Sequence, residues 1–253
     1  MKVSLISFTP DALTLLLRTK NTRLTFDSDP DAWSHAKRME HLEYMRDTIK
    51  SSWEFIDYVF QIEGVTRAFT HQLVRTRTGS YAQQAMRVVD AREQPVECPP
   101  SIASDPGRRE IWDGGVQDVM SVYGTLVDSG APIQDARGIL PTHITTSIMA
   151  KFNLRTLHEM AKLRLCTRTQ GEYQDVFRAM RELVVAEHPW AAEFIEVHCV
   201  ATGTCAFPRY GKESCPVYFP ALDNDSVREE AARRFWSGER HEAAPVARGG
   251  KAM

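Results

Sequence analysis

Two segments rich in aromatic and β-branched residues constrain the fold of this 253-residue chain most. The first, WEFIDYVFQIEG at 53–64, alternates imperfectly between apolar and polar residues, and the second is ILPTHITTSIMAKF at 139–152. Both compositions are typical of β-strands. Each segment runs directly into residues with helical spacing, over 65–75 after the first and 153–165 after the second. The sequence therefore predicts a central sheet whose strands lead into helices.

Most other apolar positions also recur at helical spacing. The predicted helices cover 31–50, 106–129, 173–187 and 190–201, with a charged helix after Asp223, while 80–89 is predicted to be extended. The chain has no internal repeat and no linker. We therefore expect one α+β domain, rich in helices around a central β-sheet, over residues 1–223. Residues 224–253 are expected to form a C-terminal helix followed by a disordered tail.

Composition narrows the class of protein. With 43% hydrophobic residues the chain can bury a full core, and its formal net charge of -2 argues against a general nucleic-acid-binding protein. No segment approaches the roughly 18 apolar residues of a membrane span. Asp11 and Arg18 interrupt the N-terminal apolar run, so a signal peptide is not predicted. The expected location is the cytoplasm.

Five cysteines occur at positions 98, 166, 199, 205 and 215, and none forms a C-x-x-C pair. An odd number in a chain of this length is not typical of a disulfide framework, so reduced thiols are expected. A zinc site formed by His198, Cys199, Cys205 and Cys215 is the alternative, but their spacing matches none of the usual zinc knuckles. We expect no bound metal.

A one-signed run of charge lies between Gly64 and Val89. The run contains four arginines and no Asp or Glu: Arg67, Arg75, Arg77 and Arg87. Guanidinium groups bind phosphate bidentately and stay charged at any working pH, so arginines around a Gly-Ser turn indicate a nucleotide or cofactor phosphate. A solvated helix face is the alternative interpretation.

The same run resembles the signature of the flavin-dependent thymidylate synthases, the ThyX family. The segment HQLVRTRTGSYAQQAMR matches the family motif Arg-His-Arg, seven residues, Ser. Three further segments, IEGVTRAFTHQLVR, ARGILP and NLRTLHEMAKLRL, match the family in its order and at its spacings, over roughly residues 50 to 175. One such motif is weak evidence, whereas the ordered set is specific.

The resemblance implies a ThyX-like fold and the C5-methylation of UMP or dUMP. Methylenetetrahydrofolate would be the carbon donor, reduced FAD the hydride source and NADPH the reductant. Arg164 would be catalytic, because a fixed positive charge beside the pyrimidine stabilises the anion that forms when electron density is pushed onto C5. The resemblance also implies a homotetramer whose active sites lie between subunits, and no cysteine nucleophile.

The family's binding residues carry over onto two overlapping sets. The implied uridylate-binding residues are Gln72, Arg75, Gln83, Gln84, Ala85, Arg87, Arg137 and Arg164. The implied flavin-binding residues are Ser51, Arg75, Thr76, Arg77, Gln83, Asn153, Arg155 and Glu159. Asn153 is also expected to cap the helix that follows it.

Four positions depart from the family pattern. Thr76 replaces the central His of the signature, Ala85 replaces its closing Ser, Phe55 replaces a His, and Glu159 stands where His or Asn is frequent, with His158 one position away. These changes remove hydrogen-bonding groups but keep every arginine. They favour an atypical branch, found in antibiotic biosynthesis, that methylates UMP as well as dUMP, since Ala85 leaves room for a ribose 2′-hydroxyl.

Three other functions remain open from the sequence. The transferred carbon could be trapped by water, which would make the protein a uridylate 5-hydroxymethylase. Loss of the signature His and Ser is also compatible with a paralogue that binds flavin and nucleotide without turnover. An RNA-binding protein is disfavoured by the negative net charge and by the absence of aromatic residues interleaved with the arginines.

Overall fold

The structure is a computed structural model that describes residues 1–24, 29–215, 217–218 and 225–236. The chain divides into two compact units, each assembled from separate segments. The first, here called the sheet unit, comprises Met1–Pro10 and Asp57–Asn153. The second, the helical unit, comprises Asp11–Ile56 and the chain from Leu154 onward.

The sheet unit contains a four-stranded antiparallel sheet. Its strands are β1 (Lys2–Phe8), β2 (Asp57–Thr66), β3 (Ser80–Gln83) and β4 (Thr145–Asn153), in the order β1-β2-β4-β3. Alternate residues of the central strands are fully buried, as with Tyr58 and Phe60 in β2 and Ile148 and Phe152 in β4. This alternation gives the sheet one continuous apolar layer.

Helices of the sheet unit pack beside a second small core. They are α3 (Arg67–Leu73), α4 (Pro100–Ala103), α5 (Pro106–Asp128) and α6 (Ile133–Ala136), with a 3₁₀ turn at Arg137–Ile139. Tyr123 of α5 is buried among Ala91, Ala136 and Ile144, and its hydroxyl accepts a hydrogen bond from the Ala91 amide at 3.1 Å. This core fixes the long α5 beside the chain that follows β3.

The helical unit contains the remaining helices. These are α1 (Ala12–Leu24), α2 (His35–Thr48), α7 (Leu154–Arg164), α8 (Gly171–Glu187), α9 (His198–Thr202), α10 (Pro208–Ser214) and α11 (Asp225–Trp236). Three 3₁₀ segments, Pro30–Ala32, Lys50–Phe55 and Pro189–Glu193, connect them. The fully buried Trp53 lies at the centre, where its ring makes edge contacts with His158 and Phe194.

The predicted α+β class, rich in helices around a sheet, is confirmed, but several boundaries are wrong. Residues 53–55 belong to a 3₁₀ helix, because Trp53 is buried against helices rather than in the sheet. The strand then continues past Gly64, which adopts φ +64 at a register shift between Ile62 and Val65. The second strand begins only at Thr145.

Other elements also differ from the prediction. The extended segment predicted at 80–89 ends at Gln83, and the helix predicted at 190–201 is divided into Pro189–Glu193 and α9. β1 and α1 have no counterpart among the predicted elements, while α11 lies where the charged C-terminal helix is expected. The tail predicted after it lies outside the described residues. Within the described part of the chain, no helix is long and apolar enough to cross a membrane.

Candidate functional site

A tight turn after α3 presents two of the predicted site arginines. The Tyr81 hydroxyl stabilises this turn, because it donates to the Thr76 carbonyl at 2.7 Å and to the Leu73 carbonyl at 3.0 Å. Gly79 lies at the end of the turn. A larger residue does not fit there, because a Cβ would lie 2.5 Å from the Phe152 ring. With its carbonyls directed inward, the turn exposes the side chains of Arg75 and Arg77.

Three exposed arginines of the run between Gly64 and Val89 carry uncompensated charge. Arg75, Arg77 and Arg87 are exposed, and none forms an ion pair with a carboxylate among the described residues. Elsewhere in the same unit, Arg92 pairs with Asp90 and Asp128, and Arg109 pairs with Asp113. A site that keeps guanidinium groups free of carboxylates is electrostatically suited to an anionic ligand.

The segment that follows β3 is attached to α3 and to the sheet. The Gln83 side-chain amide donates to the Thr70 hydroxyl of α3 at 2.9 Å, and the Gln84 amide donates to the Ser147 carbonyl of β4 at 3.0 Å. The chain then turns at Ala85, whose carbonyl accepts from the Val89 amide. α3, which carries Gln72, is therefore connected to the end of β3 at Gln83, and the chain from Gln84 to Arg87 follows directly.

Arg137 lies on another element of the sheet unit. It begins the 3₁₀ turn Arg137–Ile139, is half-buried, and donates from Nε to the Gln134 carbonyl at 3.0 Å. Burial and the charge of Arg137 both lower the pKa of the Arg67 guanidinium. The sequence placed Arg67 in the arginine run without assigning it to the site.

Residues predicted to bind the flavin lie in both units. Asn153 ends β4 immediately before α7, and Ser51 is exposed in the 3₁₀ segment Lys50–Phe55. Arg155 forms a 2.6 Å ion pair with Glu54, and Glu159 accepts from Lys162 at 2.9 Å. Unlike Arg75, Arg77 and Arg87, the side chains of Arg155 and Glu159 already have partners of opposite charge.

Arg164, the predicted catalytic residue, ends α7. It is half-buried, and its guanidinium carbon lies 4.4 Å from the centroid of the Tyr173 ring. Tyr173 itself is fully buried in α8, so this cation–π contact holds the guanidinium in one place without neutralising it. The described residues provide no carboxylate partner for Arg164.

His158 has a structural role rather than a site role. Its Nδ1 lies 2.7 Å from the Phe194 carbonyl and its ring packs edge-on against Trp53. Burial lowers the pKa of the imidazole below its ordinary value, so the ring is neutral at pH 7 and Nδ1–H is the donor. His158 therefore does not replace the family residue at position 159.

The cysteines behave as packed thiols. Burial raises the pKa of Cys199 to about 12 and also raises the pKa of Cys166, so both are protonated at neutral pH. The zinc alternative has no support in the described chain, where no group of three or more His, Cys, Asp or Glu side chains is arranged to hold a metal ion.

The side chains fit an anionic dinucleotide cofactor in the sheet unit. Arg75 and Arg77 extend exposed guanidinium groups from one hydrogen-bonded turn, and guanidinium groups are suitable donors for a diphosphate. In the helical unit the fit is conditional, because Arg155 would have to exchange Glu54 for a phosphate.

Comparison with known proteins identifies the family of the chain. The family model described as "Thymidylate synthase complementing protein" matches residues 4–190, which run through both units. The chain is 32% identical to the flavin-dependent thymidylate synthase of Sulfolobus acidocaldarius over 213 residues, covering 79% of this chain and 78% of the relative. For the enzyme of the same name from Geobacter sulfurreducens the identity is 33% over 211 residues, covering 81% and 90%.

A solved structure shares the fold. The UMP/dUMP methylase PolB from Streptomyces cacaoi, bound with 5-Br dUMP, superposes with a TM-score of 0.64 at 19% identity, covering 76% of this chain and 93% of PolB. The family match covers well over half of the chain and includes the arginine run, α6 and α7. The chain therefore belongs to the thymidylate synthase complementing protein family, which is the family of the flavin-dependent thymidylate synthases.

Proposed function

We propose that this protein is a flavin-dependent methyltransferase that methylates C5 of a uridine monophosphate, UMP or dUMP. The observation that carries the proposal is the set of exposed guanidinium groups at Arg75, Arg77 and Arg87, which lack carboxylate partners among the described residues and lie in the region matched by the family. Methylenetetrahydrofolate is the proposed carbon donor and NADPH the proposed reductant. When bound, reduced FAD would supply the hydride.

The arginines of the sheet unit bind the nucleotide phosphate in this proposal. A phosphate monoester carries close to two negative charges at pH 7, and guanidinium groups bind it with charge-assisted, bidentate hydrogen bonds. Arg75 follows α3 and Arg87 follows β3. The Gln83 side chain at the end of β3 donates a hydrogen bond to the Thr70 hydroxyl of α3, which joins these two elements. Gln72, Gln83 and Gln84 supply neutral donors and acceptors for the sugar and base.

Arg164 stabilises the charge that develops on the pyrimidine. Before C5 can attack the one-carbon donor, electron density must be pushed onto C5 and the ring carbonyl oxygens, and a positive group fixed in advance lowers that barrier without reorganising solvent. The stacking of Arg164 on Tyr173 provides such fixation. Since Cys166 and Cys199 are protonated thiols, covalent activation by either of them is disfavoured.

The substrate range follows from position 85. Ala85 is exposed on the turn after β3 and has no hydroxyl, so it leaves space beside the bound sugar. We therefore propose that UMP is accepted as well as dUMP. The structural neighbour PolB is a UMP/dUMP methylase, which supports the proposed substrate range.

A homotetramer with shared active sites completes the proposal. Ile111, Val122 and Leu126 are exposed on α5, and their spacing places them on one face of that helix. Exposed apolar side chains aligned in this way are typical of subunit interfaces. A second copy of the chain is the proposed partner of this face, and the cytoplasm is the proposed location.

One experiment tests substrate and product together. The reduced protein is incubated without oxygen with methylenetetrahydrofolate and either UMP or dUMP, and the nucleotide mass is then measured. We expect a mass increase of one methylene group on both nucleotides. A hydroxymethyl product would replace the proposed reaction with 5-hydroxymethylation, and a flavin-containing protein that modifies neither nucleotide would identify a paralogue without turnover.

A further inference from the structure

Arg67 is the one arginine of the run that is directed into the protein. It is the first residue of α3, and its main-chain amide donates to the Ile144 carbonyl at 3.1 Å. Its side chain reaches the segment after β3, where Nη2 donates to the Gln84 carbonyl at 2.8 Å. Arg67 therefore contacts α3, the end of β3 and the chain preceding β4.

Two hydrogen bonds fix the main chain of Gln84. Its carbonyl accepts from Arg67 and its amide donates to the Ser147 carbonyl at 3.0 Å. The hydrogen bond from Arg67 comes from a charged donor, which makes it roughly twice as strong as a neutral one. Because Gln84 directly precedes Ala85, this peptide sets the position of the turn that carries Arg87.

The surroundings of Arg67 restrict its guanidinium to this role. Its Nε is buried and has no hydrogen-bond partner among the described residues, and it lines a small cavity with Gln84 and Thr146. Burial, and to a lesser extent the positive charge of Arg137, lower the pKa of the Arg67 guanidinium.

We infer that Arg67 is a positioning residue for uridylate binding. It holds the Gln84 carbonyl against α3 and thereby fixes the turn that follows Gln84 and carries Arg87. The inference rests on the proposed function, since it assigns Arg67 to the same nucleotide site. It goes beyond the family resemblance, which implies roles for Arg75, Arg87 and Arg137 but none for Arg67.

The test compares three variants of the full-length, flavin-loaded protein. Arg67→Met removes the charge and the donor, Arg67→Lys keeps the charge but loses the planar fork, and Arg109→Met removes an exposed arginine of α5 as a matched control. UMP and dUMP affinities are measured by calorimetry, KM and kcat by turnover, and exchange of the Gln84, Val88 and Val89 amides by mass spectrometry.

The expected result separates positioning from general destabilisation. Arg67→Met weakens uridylate binding at least about tenfold, the factor for losing one hydrogen bond to a charged group, and raises KM more than it lowers kcat. It also accelerates amide exchange over 84–89. Arg67→Lys lies between Arg67→Met and the wild type, and Arg109→Met matches the wild type.

Two results would overturn the inference. One is wild-type affinity and wild-type exchange in Arg67→Met; the other is equal losses in Arg67→Met and Arg109→Met. Should Arg67→Met not fold, exchange over 84–89 in Arg67→Lys decides, with faster exchange supporting the role and unchanged exchange refuting it. If the wild-type protein binds neither nucleotide, the proposed function fails, while the exchange measurements still show whether Arg67 holds the turn.

Discussion

Three arginines of the run between Gly64 and Val89 in the sheet unit differ from two arginines of the helical unit in how their charge is balanced. Arg75, Arg77 and Arg87 are exposed without carboxylate partners among the described residues, whereas Arg155 pairs with Glu54 and Arg181 with Glu196. Burial of Glu196 raises the pKa of its carboxyl, and the Trp236 indole N–H donates to it. The charge of these paired arginines is thus balanced within the protein itself.

The charge of the unpaired arginines is not balanced in this way among the described residues. An exposed guanidinium without a partner adds little to stability, and several in one segment repel one another. Their retention is understandable when a ligand supplies the negative charge. Arg164 is an intermediate case, since it lies in the helical unit but is held by the Tyr173 ring instead of a carboxylate. The contrast indicates which arginines are available for chemistry.

The largest expected effect is that of Arg164→Ala. If the uncompensated charge of Arg164 stabilises the transition state, kcat falls by about 100- to 1000-fold, as when one preorganised donor is removed from an active site. FAD remains bound, because the flavin contacts implied for the family lie elsewhere. Anaerobic turnover with product mass analysis measures the loss.

Arg209→Ala is the matched control for Arg164→Ala. Arg209 is exposed in α10 and pairs with Glu213 in the following turn, so its removal should leave kcat unchanged. Full activity of Arg164→Ala would contradict the catalytic role. It would also show that an arginine without a carboxylate partner is not necessarily used in catalysis.

A smaller effect concerns acid stability of the helical unit. Burial lowers the pKa of His158, and it also lowers the pKa of His41 and His188. As the pH falls below the ordinary imidazole value of about 6.5, the unfolded chain binds protons before the folded chain does. The free energy of unfolding is therefore highest above that pH and decreases as the pH falls through the lowered values.

His158→Asn tests the contribution of one imidazole. Asparagine keeps a donor near the position of Nδ1 for the Phe194 carbonyl but cannot titrate. Urea unfolding followed by tryptophan fluorescence at pH 7.5 and 5.5 should show a smaller pH-dependent loss in the variant than in the wild type. Identical losses would mean that His158 does not contribute to acid sensitivity.

The smallest expected effect is that of Glu54→Gln, which frees Arg155. The ion pair is about half-exposed on both sides, so its loss should lower the free energy of unfolding by no more than about 1 kcal/mol. If the pair competes with a flavin phosphate, FAD binds more tightly to the variant, as measured by flavin fluorescence. Weaker FAD binding would show instead that Glu54 orients Arg155 for the cofactor.

Local sequence determined the elements with strong periodicity and clear ends. The structure confirms α5, which has Asp105 as its N-cap and ends before Gly130 at φ +94, and it confirms α7 directly after Asn153. The arginine run was also legible, because an absence of acidic residues over 26 positions is a property of the sequence itself. Patterns of this kind depend only on neighbours along the chain.

Tertiary structure decided the features that depend on residues distant in sequence. Trp53 belongs to a segment whose composition predicts a strand. It lies in a 3₁₀ segment instead, because its ring packs against His158 and Phe194. Likewise, no local pattern distinguishes Arg67, which is directed inward to the Gln84 carbonyl, from Arg75, which is exposed, or from Arg155, which is paired with Glu54. The sequence specified where positive charge occurs, and only the folded chain determined which partner each arginine has, because the partners of Arg67 and Arg155 lie 17 and 101 residues away.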